Sequence, residues 1–314
     1  MPLRRIIAAW DRFWFAPVSA RGLAVMRISL GVLLVVGHLQ LWPDLDLLFG
    51  ADGPVPAWAV QQKLPWPRWS PLYWIDTPLG LRAFHLAGLA VLVAWTLGFR
   101  TRLMGVLAFL LQVWLYQRDP WYQHGGDRVM RFATLALALG PAGAAWSVDR
   151  WLADRKGSGG AFSALVPGLS RRMIQVQLVV IYMHSGWVKA QGSTWHEGTA
   201  LYYALSDGQY QRAPLWLDPL LGSAAFQAIG RVATWITLVW EGGFGLLVLW
   251  GPTRLVALGL GLLVHGGIGL LLNVGSFVWI MLWCYLALLR PDFVEQASAR
   301  WGRARARWRE RRRA

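Results

Sequence analysis

Cysteine is almost absent from this chain. The single thiol, Cys284, rules out an intrachain disulfide and a cysteine-based metal centre. Inside an apolar run it reads as a small buried hydrophobe. Charge is scarce too: 15% of residues are Asp, Glu, Lys or Arg, where a soluble chain carries about 25%. A nucleotide-binding loop is missing, because GSGG at 157–160 has no strand before it and no GK[ST] ending after it. No internal repeat argues for a transporter by symmetry. No small-x-small cleavage site precedes the first apolar run, which argues against a signal peptide. No set of histidines and carboxylates stands at metal-ligand spacing, so no metal is expected.

What is abundant is apolar. Hydrophobic residues make up 56% of the chain and cluster in runs long enough to cross a bilayer. The expected fold class is all-α: a polytopic membrane helix bundle of about eight transmembrane helices, both termini cytoplasmic. The spans are Gly22–Trp42, Leu79–Phe99, Leu103–Tyr116, Val129–Trp146, Met173–Ala190, Phe226–Trp250, Leu255–Leu272 and Val274–Leu289. The third is short and is expected to be tilted or locally broken. Three segments follow: a basic N-terminal segment, 1–21, with an amphipathic helix from Ile6 to Phe15; the bundle, 22–290; and a basic tail, 291–314. Many of the 22 tryptophans lie near the ends of the runs, among them Trp42, Trp66, Trp69, Trp74, Trp114, Trp121, Trp146, Trp195, Trp216 and Trp250. That is the pattern of an interfacial aromatic belt.

Lys and Arg set the orientation. Arg4, Arg5, Arg12 and Arg21, Arg100 and Arg102, the cluster from Arg150 to Arg172, Arg254, Arg290 and the tail fall on one side. Fewer fall on the other, among them Lys63, Arg68, Arg82, Arg118, Arg128, Lys189, Arg212 and Arg231. The positive-inside rule places the first set in the cytoplasm and Lys189 outside. The expected partners of the arginine tail are anionic lipid headgroups, and no nucleic acid. The outer loop 43–78, rich in Pro and Trp, is expected to fold back as a lid at the outer interface. The loop Trp151–Ser170 is expected to be a flexible cytoplasmic link.

Polar groups inside the spans need an explanation, because they are expensive there. Gln175, Leu178, Tyr182, Ser185 and Lys189 share one helical face, which should meet protein or a cavity. Lys189 reads either as a snorkelling side chain or as a reactive amine. On the same outer side, YQRDPWYQHGGDR (116–128) supplies Asp119, His124, Asp127 and Arg128. Gly125 and Gly126 allow a sharp bend, and Asp127 is expected to cap the following helix. A histidine beside a lysine can order its lone pair and shuttle its proton. In the sixth span Arg231, Thr234, Thr237 and Glu241 form a second stripe. Arg27 in the first span is the expected partner of Glu241, with His265 a further one. Gly261, His265 and Gly269 share a face suited to close helix packing.

The segment YMHSGWVKAQGSTWHEGTALYYAL, 182–205, resembles the signature of the HTTM family, whose best-known members are the vitamin K-dependent γ-glutamyl carboxylases. Tyr182, Ser185, Gly186, Lys189, Trp195, Gly198 and Tyr202 match it in order, and the linker from lysine to tryptophan is a residue longer than in the animal enzymes. SVD at 147–149, the arginine of MRISLG, Glu241 and His265 match further family features. The resemblance implies a reaction centre at the outer face with Lys189 as base and His124 supporting it. It implies a reduced quinone, vitamin K or menaquinol, as cofactor. In carboxylase members the lysine deprotonates reduced vitamin K, and oxygen carries the quinol to an epoxide through a strong base. That base takes a γ-proton from glutamate, and carbon dioxide adds. Such chemistry requires a dry site. The carboxylases add a large extramembrane C-terminal domain that helps recognise a propeptide; here a short arginine tail stands instead.

Three readings follow. The first is a quinol-coupled epoxidase or carboxylase-like enzyme in a bacterial inner (plasma) membrane, active side outward. The second is a non-catalytic accessory for maturation or export of a secreted peptide, and the third is a transporter.

Overall fold

The structure, a computed structural model, describes residues 2–63, 68–121, 124–158, 163–212 and 214–311. Trp66, Gly159, Gly160 and the last two tail arginines fall outside them. The chain divides into two compact units, Met1–Ile174 with Leu289–Ala314, and Gln175–Leu288.

The first unit opens with α1 (Pro2–Phe15), a helix with one apolar and one basic face. A two-residue strand β1 (Val18–Ser19) leads into α2 (Ala20–Gln40), capped by the Ser19 hydroxyl, which accepts the Gly22 N–H at 3.1 Å. The described part of the loop 43–78 is built, not free: it holds α3 (Leu45–Phe49), α4 (Ala57–Lys63) and a 3₁₀ turn at Pro71–Tyr73. Leu41, Leu45, Phe49, Leu72 and Leu81 form its core. Arg118 fastens the loop by donating to the carbonyls of Val55 at 2.8 Å and Phe49 at 3.2 Å. The Tyr73 hydroxyl donates to the Gln117 carbonyl at 2.7 Å. Burial there raises the Tyr73 pKa, against the pull of Arg68 and Arg118.

Then come α5 (Pro78–Leu97), α6 (Thr101–Arg118) and α7 (Gly125–Leu139), packed on α2 and on one another. The third expected span is thus an unbroken helix. Its buried Gln112 is satisfied by the Ala108 carbonyl at 3.0 Å and the Thr134 hydroxyl at 3.2 Å, so nothing forces a break. The fourth is shorter than expected, because the helix stops at Gly140-Pro141. The link after it carries α8 (Val148–Arg155) and β2 (Leu165–Val166). β2 pairs antiparallel with β1, Val18 opposite Val166 and Ser19 opposite Leu165, so this end of the link is held in place. The α16 helix (Phe293–Arg311) packs on α2.

A knot of polar groups closes one end of this unit. The Asp149 carboxylate accepts from Arg100 N and Thr101 N, both at 2.8 Å, and from the Thr101 hydroxyl at 2.7 Å. Its own amide donates to the Gly98 carbonyl at 3.0 Å. Gly98 is left-handed (φ 74°), and a Cβ there would meet Ser147 and the Arg27 guanidinium. Asp149→Ala therefore orphans two amides and a hydroxyl, and the expected loss is about 2 kcal/mol, read as an earlier midpoint in SDS unfolding from mild detergent.

The second unit takes most of α9 (Leu169–Lys189), then α10 (Ser193–His196), α11 (Ala200–Ser206), α12 (Pro214–Leu221), α13 (Ala224–Leu249), α14 (Gly251–Leu271) and α15 (Phe277–Cys284). The last expected span is shorter than predicted and closes in a 3₁₀ turn, Tyr285–Ala287. Leu205, Leu217 and Leu221 bury the short helices against Phe226 and Leu271.

Among the described residues, four helical stretches are long and apolar enough to cross a membrane: Ala20–Phe49, Pro78–Leu97, Ala224–Leu249 and Gly251–Leu271. Their outward faces are apolar, as at Val239, Leu246 and Leu263, each more than 70% exposed. In water such surfaces would associate; in lipid they are solvated.

Candidate functional site

In the second unit α9 and α13 cross at glycine. A Cβ on Gly186 would stand 2.5 Å from the Gly242 nitrogen, so only hydrogen lets the two backbones meet there. One turn on, Lys189 Nζ donates to both oxygens of Glu241 at 2.6 Å. The pair is only partly open, with the lysine side chain 26% and the glutamate 9% exposed. Such a charge-assisted pair is short because the carboxylate has little water to share. The same Nζ lies 4.7 Å from the centroid of the Trp195 ring, within cation–π range. Trp195 is brought back over the lysine by the tight turn through α10. That turn closes at Gly198, left-handed at φ 74°, where a Cβ would collide with Arg231.

Two helical turns below Lys189, Tyr182 is buried. Its hydroxyl lies 2.6 Å from His265 Nε2 and 2.6 Å from the Tyr285 hydroxyl. Phe244 and Trp240 wall the ring, with centroids 4.2 and 4.9 Å away. Tyr285 lies against Gly261, where a Cβ would strike its ring. The two sets are close enough for charge to act between them, Glu241 on Tyr182 and Tyr285, and Lys189 on His265. His265 Nδ1 is buried and has no hydrogen-bond partner among the described residues.

The predicted residues thus fall into separate places. Tyr182, Lys189, Trp195, Glu241 and His265 converge in the second unit, and Ser185 lies half-buried on the same stripe. His124 and Asp127 sit together in the first unit, where the geometry corrects the expected cap. His124 is itself the N-cap of α7, its Nδ1 accepting the Gly126 N–H at 3.0 Å. Asp127, at the third position of α7, accepts the His124 N–H at 2.9 Å. With Nδ1 so engaged, the neutral ring carries its proton on Nε2.

The expected pairing of Arg27 with Glu241 gives way to another arrangement. Arg27, fully buried, donates to the carbonyls of Ala142 and Trp146, the latter at 2.6 Å. Its partners are backbone dipoles at the end of a helix, which sequence spacing does not reveal. Glu241 takes Lys189 in place of either expected partner, Arg27 or His265. Sequence reasoning missed Tyr285, whose signal was a lone tyrosine within an apolar run. It also missed His85, stacked on His38 with ring centroids 3.7 Å apart.

A family model described as the HTTM domain matches residues 15–293. A similar relative, "Uncharacterized protein YitO" of Bacillus subtilis (strain 168), is 32% identical over 127 residues. That match covers 39% of each chain. No solved structure matches. With a family model covering nearly the whole chain, and Tyr182, Lys189, Trp195 and Glu241 gathered at one site, this protein belongs to the HTTM family.

Proposed function

We propose that this chain is a quinol-coupled membrane enzyme of carboxylase-like type, with Lys189 in its reacting centre. The observation that carries the reading is the Lys189–Glu241 pair at 2.6 Å beneath an indole and above a buried Tyr–His–Tyr cluster. An ion pair retained in so apolar a segment is costly unless it is used or locks helices together. The proposed setting is an eight-span bundle in a bacterial plasma membrane, both termini cytoplasmic and the site facing outward. The basic tail lies on anionic lipid headgroups.

The residues fit a reduced quinone. Trp195 sets a half-buried indole face beside the amine, and His265 Nδ1 is a buried polar atom without a partner among the described residues. When bound, a reduced quinone supplies electrons to oxygen and a dissociable hydroxyl proton. The chain's own residues handle the proton. Passed from the ammonium to the Glu241 carboxylate, a proton leaves Lys189 Nζ with a lone pair able to accept another. Trp195 covers one side of the amine, which stays partly open on the other. Tyr182 holds His265 Nε2, so the ring presents Nδ1. The supporting role that the family resemblance gives His124 is what the His124→Ala variant tests.

The same ion pair, read as a lock between α9 and α13, favours a second reading: a non-catalytic membrane accessory for a secreted peptide. One experiment divides them. Protein in lipid nanodiscs is supplied with reduced vitamin K or menaquinol and oxygen, and the quinone epoxide is followed by mass spectrometry. Formation by wild type and its loss in Lys189→Ala, with a reduction in His124→Ala, are the expected results. A well-folded wild type that yields no epoxide from either quinol overturns the enzyme reading.

A further inference from the structure

The first unit holds a cleft of about 660 Å³ at the end of α5 and α6 that carries Arg100 and Arg102. That is the size of a small-molecule site, about 300–1,000 Å³. Four segments line it: the first turn of α6, the turn 140–144, Asp149 of α8 and the stretch 163–167. Leu103, Pro141, Ala144, Leu165, Val166 and Pro167 make most of the wall apolar. At the rim stand two exposed guanidinium groups, and among the described residues neither is ion-paired. The one carboxylate there, Asp149, is already satisfied by three hydrogen bonds from the α6 terminus. Arg100 is held at φ 43°, a conformation that costs a non-glycine residue free energy. The Asp149 bond to its amide keeps it there, and its guanidinium lies 5.8 Å from the centroid of Phe99. Behind Gly140, the Ser170 hydroxyl is buried without a partner among the described residues.

An apolar cleft rimmed by two free arginines suits an amphipathic anion. A soluble phosphate would gain nothing from the walls, and a neutral lipid nothing from the rim. The depth fits too, because the cleft lies at the end of α5, a helix of membrane-crossing length, where phosphates of a bilayer stand. We propose that this cleft binds one anionic phospholipid, its phosphate on Arg100 and Arg102 and the first part of an acyl chain against Leu103 and Leu165–Pro167. This site is distinct from the arginine tail and does not rest on the enzymatic reading. Arginine forks suit phosphate oxygens, and cations near a headgroup each add to anionic lipid attraction.

The test is native mass spectrometry of the delipidated full chain titrated with phosphatidylglycerol, and with phosphatidylcholine of the same acyl chains. One tight phosphatidylglycerol is expected. The pair Arg100→Gln/Arg102→Gln should weaken it about tenfold. Ala144→Phe, which fills the cleft and leaves the charge unchanged, should weaken it similarly. Arg303→Gln/Arg305→Gln in the tail should leave this first site as it was. The proposal is overturned by equal binding of phosphatidylcholine, by an unchanged affinity in both cleft variants, or by displacement with glycerol phosphate, which would make the ligand a soluble phosphate compound. Arg100 and Arg102 are exposed, so that pair reports binding even where the phenylalanine variant fails to fold.

Discussion

Lys189→Ala should do more than stop chemistry: it should weaken the second unit by about 3–5 kcal/mol, the cost of leaving a buried carboxylate without its cation. The Nζ contacts with both Glu241 oxygens at 2.6 Å leave that carboxylate 9% exposed, so water replaces the ammonium poorly. Glu241→Gln should cost less, because the amide oxygen still accepts from Nζ. The double variant Lys189→Met/Glu241→Leu separates the two roles. Both charges are gone and the volumes are close, so stability should return to within about 1 kcal/mol of wild type. Any Lys189-dependent product should stay absent. Unfolding in mild detergent gives one number and the epoxide assay the other. If the double variant is as unstable as Lys189→Ala, the pair does not act as a unit. If product persists in the stable double variant, Lys189 is not the reacting amine.

The second large effect is expected at Gly186. A single methyl group there would need to occupy the space of the Gly242 backbone, 2.5 Å from its nitrogen and 2.7 Å from its Cα. Neither atom belongs to a side chain that can swing away, so α9 must move off α13. Overpacking of this kind costs about 1–3 kcal/mol. The displacement occurs one turn before Lys189, so Nζ is drawn out of hydrogen-bond range of Glu241. Gly186→Ala should thus lose most of the proposed activity along with stability. Gly266→Ala is the control: nothing lies within 4 Å of a Cβ at that position. The helix should tolerate it, or gain up to about 1 kcal/mol from the stiffer unfolded chain. Equal losses in the two variants would show that helix propensity, not the crossing, was at stake.

The stripe from Gln175 to Lys189 was legible because polar residues at every third or fourth position of an apolar run escape lipid only when that face meets protein or water. The stripe on α13 was legible for the same reason, and Thr234 and Glu241 are indeed buried. What the pattern withheld was which stripe faces which. Periodicity fixes a face, but the partner of a charge depends on how helices cross, and here Gly186 and Gly242 set the crossing. Arg27 misled for a different reason. A guanidinium looks for a carboxylate on paper, yet two backbone carbonyls at a turn serve as well when geometry brings them in. His124 looked like an acid–base group, and its role as a helix cap became visible only with the position of the Gly126 amide. The loop 43–78 was expected to fold back because of its Pro and Trp content, and Arg118 reaching Val55 and Phe49 supplies the fastening no local pattern announces.

The Arg27 contacts also bear on how the protein is made. The partners of this guanidinium lie 115 and 119 residues further along the chain. If the chain enters the membrane in the order of translation, the first long apolar helix arrives with a buried cation whose acceptors have not yet left the ribosome. Until Ala142 and Trp146 emerge, that helix must stay shallow, borrow water, or shelter beside the insertion machinery. Truncations ending before residue 142 should leave it poorly anchored, and those ending beyond residue 150 should settle it. Commitment of the first span to its final depth is on this geometry a late event, timed by the synthesis of the turn that follows α7.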